Sequence, residues 1–232
     1  MSGDQVAVVR RMAEVPSRTL GPDVTVVELL NQDQGCRGLH QRRLSFASGA
    51  SLAGTAGGQG EAWYVITGTG FLGTERTGRV ALAPGTAIWL EADDGYACQG
   101  QELEILAVTV RAGTATGGPA EPVVRLADCA PERTGDREFR VLLSEGLTIT
   151  QFAGFIPPGR APAHHHAYDE VVHVLAGQGV VHLAGTDAVI GPGTSIYLPP
   201  QAPHCLENTG AGPLEVLGVF HPAGSPAAKR AS

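Results

Sequence analysis

Three consecutive histidines, His164, His165 and His166, are followed four residues later by Glu170, and a further histidine, His204, lies downstream in PPQAPHCLEN. Seven of the eight histidines lie beyond residue 163, so metal-binding side chains are gathered in one half of the chain. Along an extended segment, His164 and His166 share one face and His165 points to the other. Pro157, Pro158, Gly159 and Pro162 exclude a helix just before the histidines, so His166 and Glu170 are not one helical face. A turn at 168–169 would reverse the chain. Glu170 then opens a new strand, with Val172 and Val174 on its own face and His173 opposite. Turns in GPG and PPQAPH would deliver His204 from another strand. Three imidazoles and one carboxylate converging inside a barrel form a shell for one divalent transition metal. Mn, Fe, Ni, Co, Cu and Zn all suit that set, and ligand type alone does not choose among them. Four protein ligands on an octahedral ion leave two positions for water, substrate or dioxygen, which is what a catalytic site needs. Glu170 is the candidate catalytic base, should it leave the metal.

The elements that must hold these residues are short. Gly (32) and Pro (16) recur throughout the 232 residues, which suits many short strands joined by turns. Aromatics are sparse at 5%, so Val, Leu, Ile and Ala must form the core. β-Branched runs bounded by turn residues predict strands over 24–30, 62–67, 80–82, 86–90 and 103–110. A second set is predicted over 139–143, 148–156, 171–175, 180–183, 195–198 and 214–220.

The two sets are copies. Val8, Val9, Arg10, Pro16, Arg18 and Thr19 return as Val123, Val124, Arg125, Pro131, Arg133 and Thr134. Glu61, Gly68 and Gly70 return as Glu170, Gly177 and Gly179; Pro84, Gly85, Thr86, Ile88 and Leu90 return as Pro192, Gly193, Thr194, Ile196 and Leu198. The offsets drift only from 115 to 109 to 108, as small loop changes would cause. The expected organisation is an all-β chain of two tandem barrels. The units are 1–111 and 123–222, with a Gly/Pro-rich linker at 112–122 and a flexible tail at 223–232.

A net charge of −7 argues against nucleic-acid partners and adsorption to anionic membranes. No apolar run approaches the ~20 residues needed to span a bilayer. The N-terminus lacks a signal-peptide core, so the expected compartment is the cytoplasm. The scattered Cys36, Cys98, Cys129 and Cys205 are expected to be reduced thiols. Cys205 should point away from whatever His204 faces.

At the histidines the sequence resembles the cupin superfamily. It reads Gly159-x4-His164-x-His166-x3-Glu170-x6-Gly177, then Gly193-x5-Pro199-x-Gln201-x2-His204-x3-Asn208. The first gap is one residue short of the family motif, and Gln201 stands where the second motif has glycine. The resemblance implies two double-stranded β-helix (jelly-roll) barrels, with His164, His166, Glu170 and His204 as metal ligands. It also makes a homodimer an expectation. The first copy keeps Glu61 and Gly68, but GTAGGQG (54–60) contains no histidine and Tyr96 stands where His204 stands, so no metal is expected there. Trp63, in the place of Val172, would fill the space instead.

Arg160, just before the histidines, could steer a carboxylate at the barrel rim. Phe152, Tyr168, Val172 and Ile196 complete the expected substrate pocket. His165, His173, His182 and His221 are read as packed or exposed bystanders, Glu61 as a remnant of duplication, and Asn208 as a turn stabiliser. The expected function is a metal-dependent enzyme acting on a small organic molecule. An oxygenase or dioxygenase leads, and an isomerase or lyase is the alternative. A non-catalytic small-molecule or sugar-binding module is the reading from a different class.

Overall fold

The computed structural model describes residues 6–111, 113 and 118–227. Part of the expected linker (112, 114–117) and of the expected tail (228–232) therefore lies outside the described residues. Strands dominate, broken by three single-turn 3-10 helices at Met12–Glu14, Gln32–Gln34 and Leu126–Asp128.

The first half builds on two long bent strands, Glu61–Thr74 and Gly95–Val110, which pair with each other along most of their length. The sequence reading had 62–67 and 103–110 only. Register shifts between Val65 and Thr69 let each strand turn a barrel corner and continue on the other face. In the second half the same path is interrupted: Asp169–Ala176 ends at Gly177, and Gly179–Leu183 continues in a separate four-stranded sheet. Gly177 has φ +83°, and a Cβ there would lie 2.6 Å from the Pro213 carbonyl, so only glycine fits the corner. His204–Asn208 pairs with Gly179–Leu183 in that smaller sheet, and Thr150–Ile156 and Leu214–His221 flank each other in the larger one.

The two copies exchange their first strands. Val8–Arg11 pairs antiparallel with Thr194–Leu198 of the second barrel, and Val123–Arg125 pairs with Thr86–Leu90 of the first. Each covers an edge that would otherwise present unpaired backbone groups. Met12 N donates to Gly193 O, and Leu126 N repeats the contact with Gly85 O. The division read from sequence and the division into sheets therefore differ at these two strands.

Side-chain alternation sorts the core. Trp63 and Val65 face the interior of the first barrel, while Ala62 and Tyr64 join Val171, Tyr197, Leu217 and Val219 in an apolar layer between the barrels. His173 lies on the same outward face as Val171. It is 1% exposed and contacts Ser195 Oγ at 2.9 Å. Burial, with a smaller push from Arg43, lowers its pKa to about 3. Above pH ~6.5 His173 is neutral whether folded or unfolded and has no effect on stability. Below that the unfolded chain takes up a proton that the folded chain refuses, until the pH reaches about 3. Folding stability should fall by about 3 kcal/mol between neutrality and pH ~4.5 through this group. Urea denaturation of wild type and His173→Gln at both pH values checks this. The stability difference between the two proteins should move in the variant's favour on acidification, and a constant difference would refute the assignment.

Candidate metal centre

His164 and His204 sit opposite each other in an isolated antiparallel bridge, with His164 N bonded to His204 O and His204 N to His164 O, both at 2.9 Å. That bridge fixes the spacing of their side chains. His164 Nδ1 donates to Pro162 O at 3.2 Å, and His204 Nδ1 donates to Ala202 O at 2.9 Å. A carbonyl can only accept, so each ring carries its proton on Nδ1 and presents the Nε2 lone pair. The ligand nitrogens of His164, His166 and His204 lie within 4.8 Å of one another. Glu170 Oε2 lies 3.4 Å from His166 Nε2 and 3.8 Å from His204 Nε2. The structure thus brings together the four residues singled out as ligands. His165 is exposed, and Cys205 is buried on the opposite side of its strand.

The electrostatics are those of a buried polar group lacking a partner. Burial lowers His166 to about 3 and His204 to about 4, with the neighbouring histidines adding to it. Burial also raises Glu170 to about 8. The Glu170 carboxyl and the His166 and His204 imidazoles are then neutral near pH 7, so the short Glu170–His166 approach is not an ion pair. Glu170 Oε2 and His166 Nδ1 are buried with no hydrogen-bond partner among the described residues. Such groups are costly to leave unsatisfied. A divalent cation would satisfy the carboxylate and return it to its ionised form. The donor set and the orphaned oxygen therefore fit a metal.

The centre opens onto a cavity of about 80 Å³. Of the residues expected to line it, Phe152 and Val172 do. Phe152 packs against Phe220 with ring centroids 4.8 Å apart and planes tilted by 34°, and a Cβ on Gly218 would collide with the Phe152 ring at 2.3 Å. Tyr168 lies behind the cavity wall, stacked on His166 at 4.9 Å and in contact with Phe220 at 4.6 Å, so it holds a candidate ligand. Ile196 pairs with Val172 and is fully buried in the core without reaching the cavity. Arg160 is exposed on a sheet edge, where its Nε donates to Cys205 Sγ at 3.4 Å, on the side away from His204. The cationic side chain that does line the cavity is Arg137. It lies two residues before the predicted strand 139–143 and was missed because that strand begins earlier, at Arg137. Had the alternation been carried back from the buried Phe139, it would have placed Arg137 on the same face.

Residues 223–227, expected to belong to a flexible tail, pack here. Tyr168 Oη donates to Ser225 O at 3.1 Å, Gly224 N donates to Thr150 Oγ1 at 3.2 Å, and Pro226 lines the cavity. The segment is polar and small, with no apolar periodicity to reveal that backbone groups hold it.

The motif residues that are not ligands carry structure. Gln201 replaces the motif glycine yet keeps its backbone, with φ +65°, and its N–H donates to His166 O at 2.7 Å. Asn208 is 3% exposed. Its Nδ2 donates to Ile156 O and Gly212 O, both at 2.8 Å, and its Oδ1 accepts from Gly210 N at 2.9 Å. Asn208→Ala should cost about 2–3 kcal/mol, since it orphans buried backbone groups. Urea denaturation reads that loss, and one below ~0.5 kcal/mol would mean that water replaces the amide.

The corresponding place in the first barrel is filled. Gly54 pairs with Tyr96 as His164 bridges His204. Trp63, fully buried, meets Tyr96 edge-on at 4.9 Å, and its Nε1 donates to Glu61 Oε2 at 2.8 Å. Glu61 Oε1 accepts from Arg42, Thr109 and Gly57 N. The acid read as a remnant is thus fully engaged.

A cupin domain model matches residues 153–220. An oxalate-binding protein of Thermotoga maritima is 33% identical over 111 residues, covering 42% of this chain and 92% of that protein. Other relatives are matched over less than two thirds of their length. They include 64% of an uncharacterized protein of Methanocaldococcus jannaschii (34% identical over 80 residues) and 14% of an Escherichia coli mannose-1-phosphate guanylyltransferase (40% over 67 residues). Among solved structures, Bacillus subtilis oxalate decarboxylase aligns with TM-score 0.75 at 14% identity, over 92% of this chain and 76% of that one. Protein Ylba from E. coli aligns with TM-score 0.79 at 12% identity, over 95% and 93%. Both show the fold alone. With the domain model on the second barrel and a relative matched over nearly its whole length, the chain belongs to the cupin superfamily.

Proposed function

We propose that this cupin is a metal-dependent enzyme acting on a small organic molecule, with one divalent transition metal held by His164, His166, Glu170 and His204. The observation that carries the reading is the buried, partnerless Glu170 Oε2 facing two imidazoles at the floor of a cavity. When bound, the ion would supply Lewis acidity and open positions for an oxygen-bearing substrate. The chain's own residues do the rest. Pro162 and Ala202 carbonyls fix the tautomers of His164 and His204. Tyr168 fixes the plane of His166. Phe152, Phe220 and Val172 keep the cavity apolar, which strengthens every electrostatic contact inside it.

Of the reaction types, an oxygenase is proposed first and a redox-neutral isomerase or lyase second. A non-catalytic binder is favoured by one observation, the 33% identical relative named for oxalate binding. Elemental analysis combined with an oxygen electrode separates these readings. Metal with oxygen uptake on a phenol and diketone panel supports the oxygenase, while turnover without oxygen uptake supports the alternative enzyme. Metal-loaded protein that binds oxalate without consuming it would overturn the enzyme reading. The same proposal takes 1–111 and 123–222 as the duplicated units, the cytoplasm as the compartment, small molecules rather than nucleic acid or membranes as partners, and a homodimer as the assembly. Sedimentation tests the last.

A further inference from the structure

Arg137 stands in the wall of the same cavity, and nothing in the metal reading uses it. It opens the strand Arg137–Leu143, opposite Thr134 in a tight hairpin. Alternation puts Arg137 and Phe139 on one face. Phe139 is 4% exposed and packed with Phe152 and Phe220 in the cavity wall. Arg137 is therefore carried on the hairpin towards the mouth of the cavity and is held only half-buried. Glu138 also lines the cavity, but its charge is taken up by Arg140 at 3.3 Å, with Arg133 at 3.9 Å. Among the described residues the Arg137 guanidinium has no hydrogen bond and no ion pair.

An unpaired guanidinium facing a largely apolar cavity is a ready fork for a planar anion. Its five donors in fixed geometry match a carboxylate bidentately. The cavity, about 80 Å³, has room for a small planar group beside an ion. From this juxtaposition we infer that the substrate is a small carboxylic acid, its carboxylate held by Arg137 while another oxygen faces the His164–His166–Glu170–His204 centre. The inference rests on the metal reading above and names its substrate class. Arg137 then sets specificity and orientation, turning the reactive end of the molecule towards the centre.

The test uses full-length protein reconstituted with Co(II), and pyruvate against its neutral isostere pyruvamide, titrated calorimetrically. Wild type should bind pyruvate at least tenfold more tightly than pyruvamide. Arg137→Met should lose about ten- to a hundredfold in pyruvate affinity, leave pyruvamide affinity within about twofold, and keep full cobalt uptake and an unchanged Tm. Arg137→Lys should recover part of the loss, because a point charge cannot replace the fork. Cobalt uptake with no preference for pyruvate in wild type, or a preference that survives in Arg137→Met, would overturn this inference alone. Failure of wild type to take up cobalt would overturn the metal reading and this inference with it.

Discussion

Replacing His166 with alanine is expected to empty the proposed centre while leaving both barrels folded. His166 is the imidazole whose Nε2 lies nearest to Glu170, and its ring lies 4.9 Å from His164 and 5.3 Å from His204. Removing even an outer hydrogen-bond partner of a metal ligand typically costs about 10–100-fold in affinity, so loss of an inner ligand should exceed that. As-purified wild type should carry about one transition metal per chain, and His166→Ala should fall to a small fraction of that. Circular dichroism should still report the barrels, because the surrounding core does not depend on the ring. Tyr168 would lose a stacking partner but keep Phe220 and its bond to Ser225. Glu170→Gln is the companion variant. It keeps the shape and removes the charge that only a cation can satisfy at this depth, so it too should lose metal. Unchanged metal content in both variants would mean that the ligands are others. Two ions per chain would mean that the first barrel also binds.

The centre was legible because its determinants are local. Alternation alone separates His164 and His166 from His165, and the proline-rich approach forbids the helix that would mimic a His-x3-Glu face. The copy of that frame at Glu61 and Gly68, without histidines, was equally readable as spacing. Three things were not. The exchange of Val8–Arg11 and Val123–Arg125 depends on which distant edge each strand covers, and a strand of three or four residues carries no such information. The cavity's cation was assigned to Arg160 on sequence proximity. The strand there pairs at a sheet edge, with its guanidinium against Cys205, whereas Arg137 arrives from a hairpin whose polar tip reads as a turn. Residues 223–227 are held by a tyrosine hydroxyl and a threonine hydroxyl that belong to other elements, so their own composition was silent.

Breaking the Arg42–Glu61 pair should damage the first barrel more than any single change to its apolar lining of comparable size. In register, Arg42 opposes Ala107 as Phe152 opposes Gly218, and Glu61 opposes Thr109 as Glu170 opposes Phe220. The duplicated acid therefore faces a guanidinium from the strand that supplies a phenyl ring in the second barrel. Arg42 reaches Glu61 at 2.8 Å with side chains 21% and 4% exposed. The carboxylate's remaining acceptor sites are taken by Trp63, Thr109 and Gly57, so a positive charge and three donors already do what an ion would do. Glu61→Gln keeps the shape but strands a buried cation, which costs about 3–5 kcal/mol. For a chain of this size that should lower the midpoint of the first barrel's unfolding by about 10 °C or more. Adding Arg42→Met removes the stranded charge. The double variant should then be more stable than Glu61→Gln alone, since a buried ion pair can often be exchanged for apolar contact at little net cost. Metal content should stay at about one per chain in both. A loss below ~1 kcal/mol in the single variant would show that Arg42 reaches water, and a double variant no better than the single would show that the hydrogen bonds of Glu61, rather than its charge, hold the barrel closed.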